Sequence, residues 1–150
     1  MARFALQSLL DHALHRLEAA ERLLRNLKRK EEEALVQLEA LRAYHREYER
    51  QFARRGEQGM AIHLLRDYHG FLAKMEQAVR HQELIVDQTR ANLKRGQEQW
   101  AEQRRKVKAY EAMAARHAAR ELLKEERRDQ RNMDEFANRA HRQRTDDPLA

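Results

Sequence analysis

The sequence has 150 residues, of which 37% are charged and only 6% aromatic, and it contains four glycines, one proline and no cysteine. So little apolar bulk and so few helix breakers exclude a thick globular core and indicate a long, thin helical protein. The lack of cysteine excludes disulfides and thiolate chemistry. The formal net charge is +6, but 31 basic residues are interleaved with 25 acidic ones, which is typical of a solvated helix surface rather than of a nucleic-acid site.

Targeting and membrane segments are not apparent in the sequence. The first ten residues lack the continuous apolar run of a signal peptide, and no later stretch approaches the length needed to span a bilayer. We therefore expect a soluble, cytoplasmic protein without direct membrane insertion.

The first predicted helix spans about residues 6–54 and carries a seven-residue apolar repeat. Its core positions, alternately four and three residues apart, run from Leu6 to Phe52 and are interrupted by Glu31 and His45. We interpret these two polar residues as local weak points that help to fix the register of a coiled coil, and not as ligands.

The predicted turn covers residues 55–60. Gly56 can adopt the left-handed conformation of the residue that ends a helix. Arg54 and Arg55 then lie favourably at the negative end of the dipole of the first helix. A link this short folds the next helix back antiparallel, and we expect residues whose numbers sum to about 115 to lie level with each other.

The second predicted helix spans about residues 61–142, and its heptad repeat is almost unbroken from Ala61 to Ala114. A 3.5-residue spacing indicates a left-handed coiled coil, whose partner is the first helix. The predicted fold class is therefore all-α: a long two-helix antiparallel coiled coil with a projecting C-terminal helical extension. We treat residues 1–150 as one coiled-coil domain and expect residues 143–150 to be disordered.

The projecting part is strongly charged and carries sparse apolar residues. It is either a frayed tail or a helix that inserts into a cavity of another protein. Its apolar residues are Leu122, Leu123, Met133 and Phe136.

The line of core contacts between the two helices, which we call the seam, has one apolar flank near the turn. The e positions there are polar, whereas the g positions of the two helices are Gln37, Tyr44, Gln51, Leu64, Phe71, Ala78 and Ile85. The pairing rule places Tyr44 level with Phe71 beside the seam. Such a patch indicates a protein-binding site, although a widened seam or self-association would also account for it.

Metal and catalytic sites are not predicted. His12 and His15 lie three residues apart, but the sequence places no third ligand and lacks the histidine–glutamate zinc signature. A two-helix coiled coil offers no pocket in which carboxylates become desolvated. We therefore expect no cofactor, no metal and no enzymatic activity.

The stretch from Phe71 to Gln82 resembles the FliJ family, soluble components of the flagellar type III export apparatus. The pair Tyr44 and Tyr48, the glycine-containing turn, Trp100 with its following basic run, and the acidic pair at 134–135 resemble the family pattern in the same order. The resemblance extends over nearly the whole chain.

The resemblance implies an antiparallel coiled coil like the central stalk of rotary ATPases, with roles in flagellum biogenesis, protein transport, motility and chemotaxis. It implies association with the hexameric export ATPase, whose ring assembly it promotes, with the export-gate membrane protein and with export chaperones. It also implies a peripheral position at the inner-membrane export apparatus.

The resemblance further implies two sets of contact residues. Those for the export gate are Gln37, Leu41, Tyr44, Tyr48, Phe71, Met75, Ala78 and Gln82. Four of them occupy the g positions noted above: Gln37, Tyr44, Phe71 and Ala78. The other four occupy d positions, where their loss would act through folding. The free helix ends are expected in the ATPase ring, where possible contacts are Arg116, Arg120, Lys124, Arg127, Arg128 and Arg131.

Two other functions are compatible with the same heptads. The first is the stalk-like protein of a virulence-type injectisome. The second, from a different class, is a basic coiled coil that binds RNA or DNA.

Overall fold

The computed structural model describes the backbone of Ala2–Asp146 and the side chains of residues 5–146. Two α-helices make up this part of the chain, α1 (Ala2–Glu57) and α2 (Ile62–Thr145), and none of the described residues lies in a strand. Leu, Ala, Glu, Arg and Gln are abundant in both segments, and all of them favour helix. Because α1 and α2 pack against each other in opposite directions, the predicted all-α, two-helix antiparallel coiled coil is confirmed.

Both helices extend slightly beyond their predicted bounds. α1 begins at Ala2, before the predicted start near residue 6, and ends at Glu57. α2 ends at Thr145, so the first residues of the predicted disordered tail are helical. The end of that tail, residues 147–150, lies outside the described residues.

The loop between the helices reverses the chain at Gly59. Its φ is +84°, a left-handed conformation that glycine adopts without a steric penalty. The amide of Gly59 donates to the carbonyl of Gly56 (3.3 Å), and the amide of Gln58 donates to the carbonyl of Arg55 (3.2 Å). The expectation that Gly56 is the left-handed residue is therefore wrong, because α1 remains helical through Glu57.

Contacts divide the chain into two units, one of residues 16–104 and one of residues 1–15 with 105–150. The first unit contains the loop and the seam on either side of it. Its buried core and the residues packed on that core are Ala34, Leu38, Val86, Leu35, Val79 and Ile85. Burial of such aliphatic side chains contributes about 1.5–3 kcal/mol each when it is complete.

Gly96 lets the two helices approach closely within the unit of residues 16–104. A Cβ at this position would lie 2.5 Å from Cδ1 of Leu27 and 3.8 Å from Cδ1 of Leu24. Leu27 therefore occupies the space that a side chain at position 96 would need, as a knob fills a hole in a coiled coil.

The pairing register differs from the predicted one by a few residues. Phe52 packs against Tyr68 and His69, with ring centroids 5.2 and 5.3 Å apart, and not against the region of Leu64. Because the chain reverses at Gly59, the helices pair with number sums somewhat larger than 115.

In the unit of residues 1–15 and 105–150, Ala13 and Val107 are buried. Farther along α2, every residue from Leu122 to Arg139 is exposed. We call residues 116–145 of α2 the C-terminal extension. Its side chains remain in solvent over most of its length.

Alanine substitution should distinguish the two glycines near the loop. Gly59→Ala should lower the free energy of unfolding by about 1 kcal/mol, because an L side chain is strained at positive φ. Gly56→Ala should raise it by about 0.5–1 kcal/mol, because alanine is the better helix former. A Cβ meets nothing within 4 Å at either position, so neither effect is obscured by a clash.

Urea unfolding followed by circular dichroism measures both values. A destabilised Gly56→Ala beside an unchanged Gly59→Ala would place the chain reversal at Gly56 instead.

Candidate protein-binding surface

Five aromatic side chains and one histidine meet next to the loop. We call this set the aromatic cluster; its members are Tyr44, Tyr48, Phe52, Tyr68, His69 and Phe71. Tyr48 lies at its centre, with ring centroids 4.5 Å from Phe71, 5.1 Å from Tyr68 and 6.4 Å from Tyr44. Tilted rings at these distances attract each other beyond the area they bury, so the cluster joins α1 to α2.

The aromatic cluster has a buried side and an open side. Tyr68 is 8% exposed, whereas Phe71 is 38% and Tyr44 57% exposed. Burial raises the pKa of the Tyr48 phenol above its usual value, nearby Tyr68 and Tyr44 add to the effect, and Arg55 opposes it. The Tyr48 hydroxyl is therefore neutral at physiological pH, and the open side presents uncharged rings.

Tyr44 and Phe71 do not pair as the predicted register requires. Phe71 packs on Tyr48, and Tyr44 joins the cluster through the same Tyr48 ring, one helical turn away on α1. The reason is the shift in register that follows from the reversal at Gly59. Both Tyr44 and Phe71 nevertheless remain open to solvent.

The eight residues that the sequence assigned to the export gate fall into two groups in the structure. The exposed group, which we call the g-flank surface, consists of Gln37, Tyr44, Phe71 and Ala78. The members of the other group are buried or half-buried in the seam: Leu41, Tyr48, Met75 and Gln82. Only the first group presents its side chains to solvent.

The apolar surface differs in detail from the predicted flank. Ile85 is half-buried and packs on the core of Ala34, Leu38 and Val86, so it belongs to the seam. Leu64 remains 45% exposed. Ile62, the first residue of α2, is 72% exposed. The heptad pattern did not indicate this apolar residue as part of the surface, because it occupies an e position.

Gln82 is a buried polar residue at a d position of the seam, but the sequence pattern did not indicate its hydrogen-bond partner. Its side chain is 6% exposed, and Nε2 donates a hydrogen bond of 3.0 Å to the main-chain carbonyl of Ala34 on α1. A buried amide without a partner is unfavourable, so this hydrogen bond favours the register in which Gln82 lies level with the Ala34 carbonyl. Gln82 therefore specifies the pairing, as polar residues at core positions can.

The opposite flank of the seam carries charged pairs. Arg42 donates to Glu83 across the helices at 3.2 Å, and Nε2 of His45 lies 3.7 Å from Glu49 and 3.8 Å from Glu76. The Arg42–Glu83 pair is exposed and stabilises the fold by well under about 1 kcal/mol, whereas the His45 side chain is half-buried, with 19% of it exposed. The charged residues of these pairs make this flank polar, whereas the exposed rings of Tyr44 and Phe71 lie on the other flank.

The six basic residues predicted to contact the ATPase ring are all exposed on the C-terminal extension. Steps of four and three residues place Arg116, Arg120, Lys124, Arg127 and Arg131 on one face of the helix, and Arg128 adjoins them. We call this set the basic face. In the whole sequence acidic and basic residues are interleaved, but on this face of the extension the basic residues are grouped together. Such a face suits an acidic partner.

The described part of the chain contains neither a candidate metal-ligand cluster nor a helix that could span a membrane. Between residues 5 and 146, no three or more His, Asp or Glu side chains are grouped so that they could hold a metal ion. No helix among these residues is both long and apolar enough to cross a membrane.

Comparison with known proteins extends over both helices. The family model described as "Flagellar FliJ protein" matches residues 1–146. A flagellar FliJ protein of Salmonella typhi is 32% identical over 136 residues, which cover 91% of this chain and 92% of that relative. The flagellar FliJ protein of Escherichia coli (strain K12) is 30% identical over 136 residues with the same coverage.

Substitution of Gln82 should reveal its role as a buried donor. Gln82→Glu should lower the free energy of unfolding by about 2–3 kcal/mol at pH 7, because a carboxylate cannot donate to the Ala34 carbonyl and is buried without compensation. Such a carboxyl has a raised pKa in the folded state, so stability should return as the pH falls and the group becomes a donor. Urea unfolding at pH 7 and pH 5 measures both effects.

Two further variants serve as controls for this experiment. Gln77→Glu changes an exposed glutamine of α2 and should have almost no effect at either pH. Gln82→Met removes the donor without adding charge and should cost about 1 kcal/mol independently of pH. Equal stabilities of Gln82→Glu and Gln77→Glu would contradict the assigned hydrogen bond.

Proposed function

Because the chain belongs to the flagellar FliJ family, we propose that it is a non-enzymatic coupling component of flagellar type III protein export. In this role it binds the hexameric export ATPase, the export-gate membrane protein and export chaperones. It acts in the cytoplasm and is held peripherally at the inner-membrane export apparatus. The observation that carries the proposal is the presence of two exposed surfaces of different chemistry on a two-helix scaffold.

The g-flank surface is the proposed contact for the export gate. Tyr44 and Phe71 are exposed, yet both rings rest on Tyr48, which Tyr68 holds from the other side. Rings fixed in this way lose little conformational freedom on binding. Aromatic anchors of this kind carry much of the energy of protein interfaces.

The basic face is the proposed contact for the ATPase ring. Its side chains extend from a single helix that is exposed from Leu122 to Arg139, so a surrounding ring could reach them. Lys124, Arg127, Arg128 and Arg131 line a shallow concavity. An acidic ring surface would attract this face, and the association should weaken as salt is raised.

Loss of the two exposed rings should weaken binding to the export gate. The double variant Tyr44→Ala, Phe71→Ala should reduce affinity for the cytoplasmic part of the gate protein by about 30-fold or more, if each ring contributes at least 1 kcal/mol. Helicity should change little, because both side chains are partly in solvent and the contacts of Tyr68 with Tyr48 and Phe52 still join the two helices. Isothermal titration calorimetry and circular dichroism measure the two quantities.

The matched control is Ile62→Ala, Leu84→Ala, since these side chains are 72% and 62% exposed but lie outside the g-flank surface. It should bind the gate normally. Equal loss of affinity in the control, or extensive unfolding of the ring variant, would contradict the proposed contact.

Reversal of charge on the basic face should uncouple the protein from the ATPase. The triple variant Arg120→Glu, Lys124→Glu, Arg127→Glu should remove most of the stimulation of ATP hydrolysis and of ring assembly, because like charges then face the ring. Hydrolysis rate and ring counts by electron microscopy, with near-stoichiometric protein at moderate salt, measure these effects.

A second triple variant controls for net charge. Arg66→Glu, Lys74→Glu, Lys94→Glu changes three exposed basic residues outside the extension and should stimulate the ATPase as the unmodified chain does. Unimpaired stimulation by the first variant would exclude the basic face as the contact. Binding of duplex DNA lost only in the first variant would favour the nucleic-acid function instead.

A further inference from the structure

The C-terminal extension and the turns before it carry a second heptad pattern, which the coiled coil with α1 does not use. It follows alternate steps of three and four residues along one face of α2. We call it the second stripe; its members are Ala112, Ala115, Ala119, Leu122, Glu126, Asp129, Met133, Phe136, Ala140 and Gln143. A spacing of 3.5 residues is the pattern by which one helix packs along another.

The second stripe is distinct from the seam that faces α1. In this part of α2 the seam positions are Val107, Tyr110, Ala114, His117 and Glu121, and all of them are buried or half-buried. All members of the second stripe are exposed except Ala140, which is half-buried. One helix thus has two faces with coiled-coil spacing, of which only one packs against α1.

Large apolar side chains lie on either side of the centre of the exposed stripe, whose ends are alanine and glutamine. Leu122 is 58%, Met133 69% and Phe136 76% exposed. Beyond Glu121 the only other large aliphatic residue in the described part of the helix is Leu123, which adjoins the stripe. Apolar residues grouped on one helix face mark a contact surface.

The centre of the stripe is acidic, and this defines the chemistry of its partner. Glu126 and Asp129 occupy two successive core positions between Leu122 and the pair Met133 and Phe136. A helix docked along the stripe would need cationic side chains at those two layers, since a buried carboxylate without a partner is strongly unfavourable. A parallel second copy would instead place like charges opposite each other.

We propose that the second stripe is the docking face for an amphipathic helix of another protein, with Lys or Arg at two central core layers and apolar residues at the core layers on either side of them. The basic face lies on the opposite side of α2, because Arg120, Lys124, Arg127 and Arg131 are offset from the stripe by about half a helical turn. The extension therefore carries two separate contact surfaces, and the docked helix leaves the basic face free for the ATPase. This inference does not depend on the identity of either partner.

A designed peptide tests the charge requirement. The probe is a four-heptad amphipathic peptide with leucine at its core positions except for lysine at the two central layers, labelled for fluorescence anisotropy with the full-length chain. A second peptide carries glutamate at the same two layers. We expect the lysine peptide to bind at least tenfold more tightly; equal affinity for the two peptides would overturn the proposal.

Variants of the chain locate the peptide on the stripe. The double variant Met133→Ala, Phe136→Ala should lower the affinity for the lysine peptide at least tenfold. The double variant Glu126→Lys, Asp129→Lys should reverse the preference, so that the glutamate peptide binds more tightly. The matched control Val36→Ala, Leu84→Ala removes side chains that are 68% and 62% exposed elsewhere and should bind normally. Weakening by the control, or no reversal by the charge variant, would contradict docking at this stripe.

Sedimentation distinguishes a partner helix from a second copy of the chain. The unmodified protein should sediment as a monomer at the concentrations used for anisotropy. A dimer that Met133→Ala, Phe136→Ala dissociates would overturn the proposal and assign the stripe to self-association.

Discussion

The pairing register of α1 and α2 determines which side chains the protein presents near its loop. The hydrogen bond from Gln82 to the Ala34 carbonyl, the stack of Tyr48 on Phe71 and the fit of Leu27 over Gly96 belong to the same register. Because these contacts lie along the seam of one unit, a slipped pairing would break all of them together. The ring contacts that hold Tyr44 and Phe71 against Tyr48 are a consequence of this register.

The chemistry of the exposed surfaces changes along the chain. Uncharged rings lie beside the loop, charged pairs occupy the other flank of the seam, and the C-terminal extension carries a basic face and an apolar stripe with an acidic centre. A helix satisfies its backbone hydrogen bonds internally, so every face is available for side chains that serve a partner. This property suits the coupling role that we propose for the chain.

Part of the surface could be predicted because heptad position decides the exposure of most side chains, although the g residue Ile85 packs into the seam. The g positions of Gln37, Tyr44, Phe71 and Ala78 indicated exposure, and the structure exposes them. Gly56 and Gly59 could not be distinguished, since both lie in a glycine-containing link and only the end of α1 decides which one reverses the chain. The role of Gln82 was equally hidden, because a hydrogen bond to a backbone carbonyl depends on the exact level of the opposite helix.

The sequence by itself determined the all-α class, the heptad seam and membership of the FliJ family, because these depend on the spacing and identity of residues along one chain. Only the tertiary structure decided the register, the ring contacts of Phe71, and the carbonyl to which Gln82 donates its hydrogen bond. The physical reason is that these features depend on the relative axial position of two helices. A difference of a few residues in the loop changes that position while the heptad pattern of each helix stays the same.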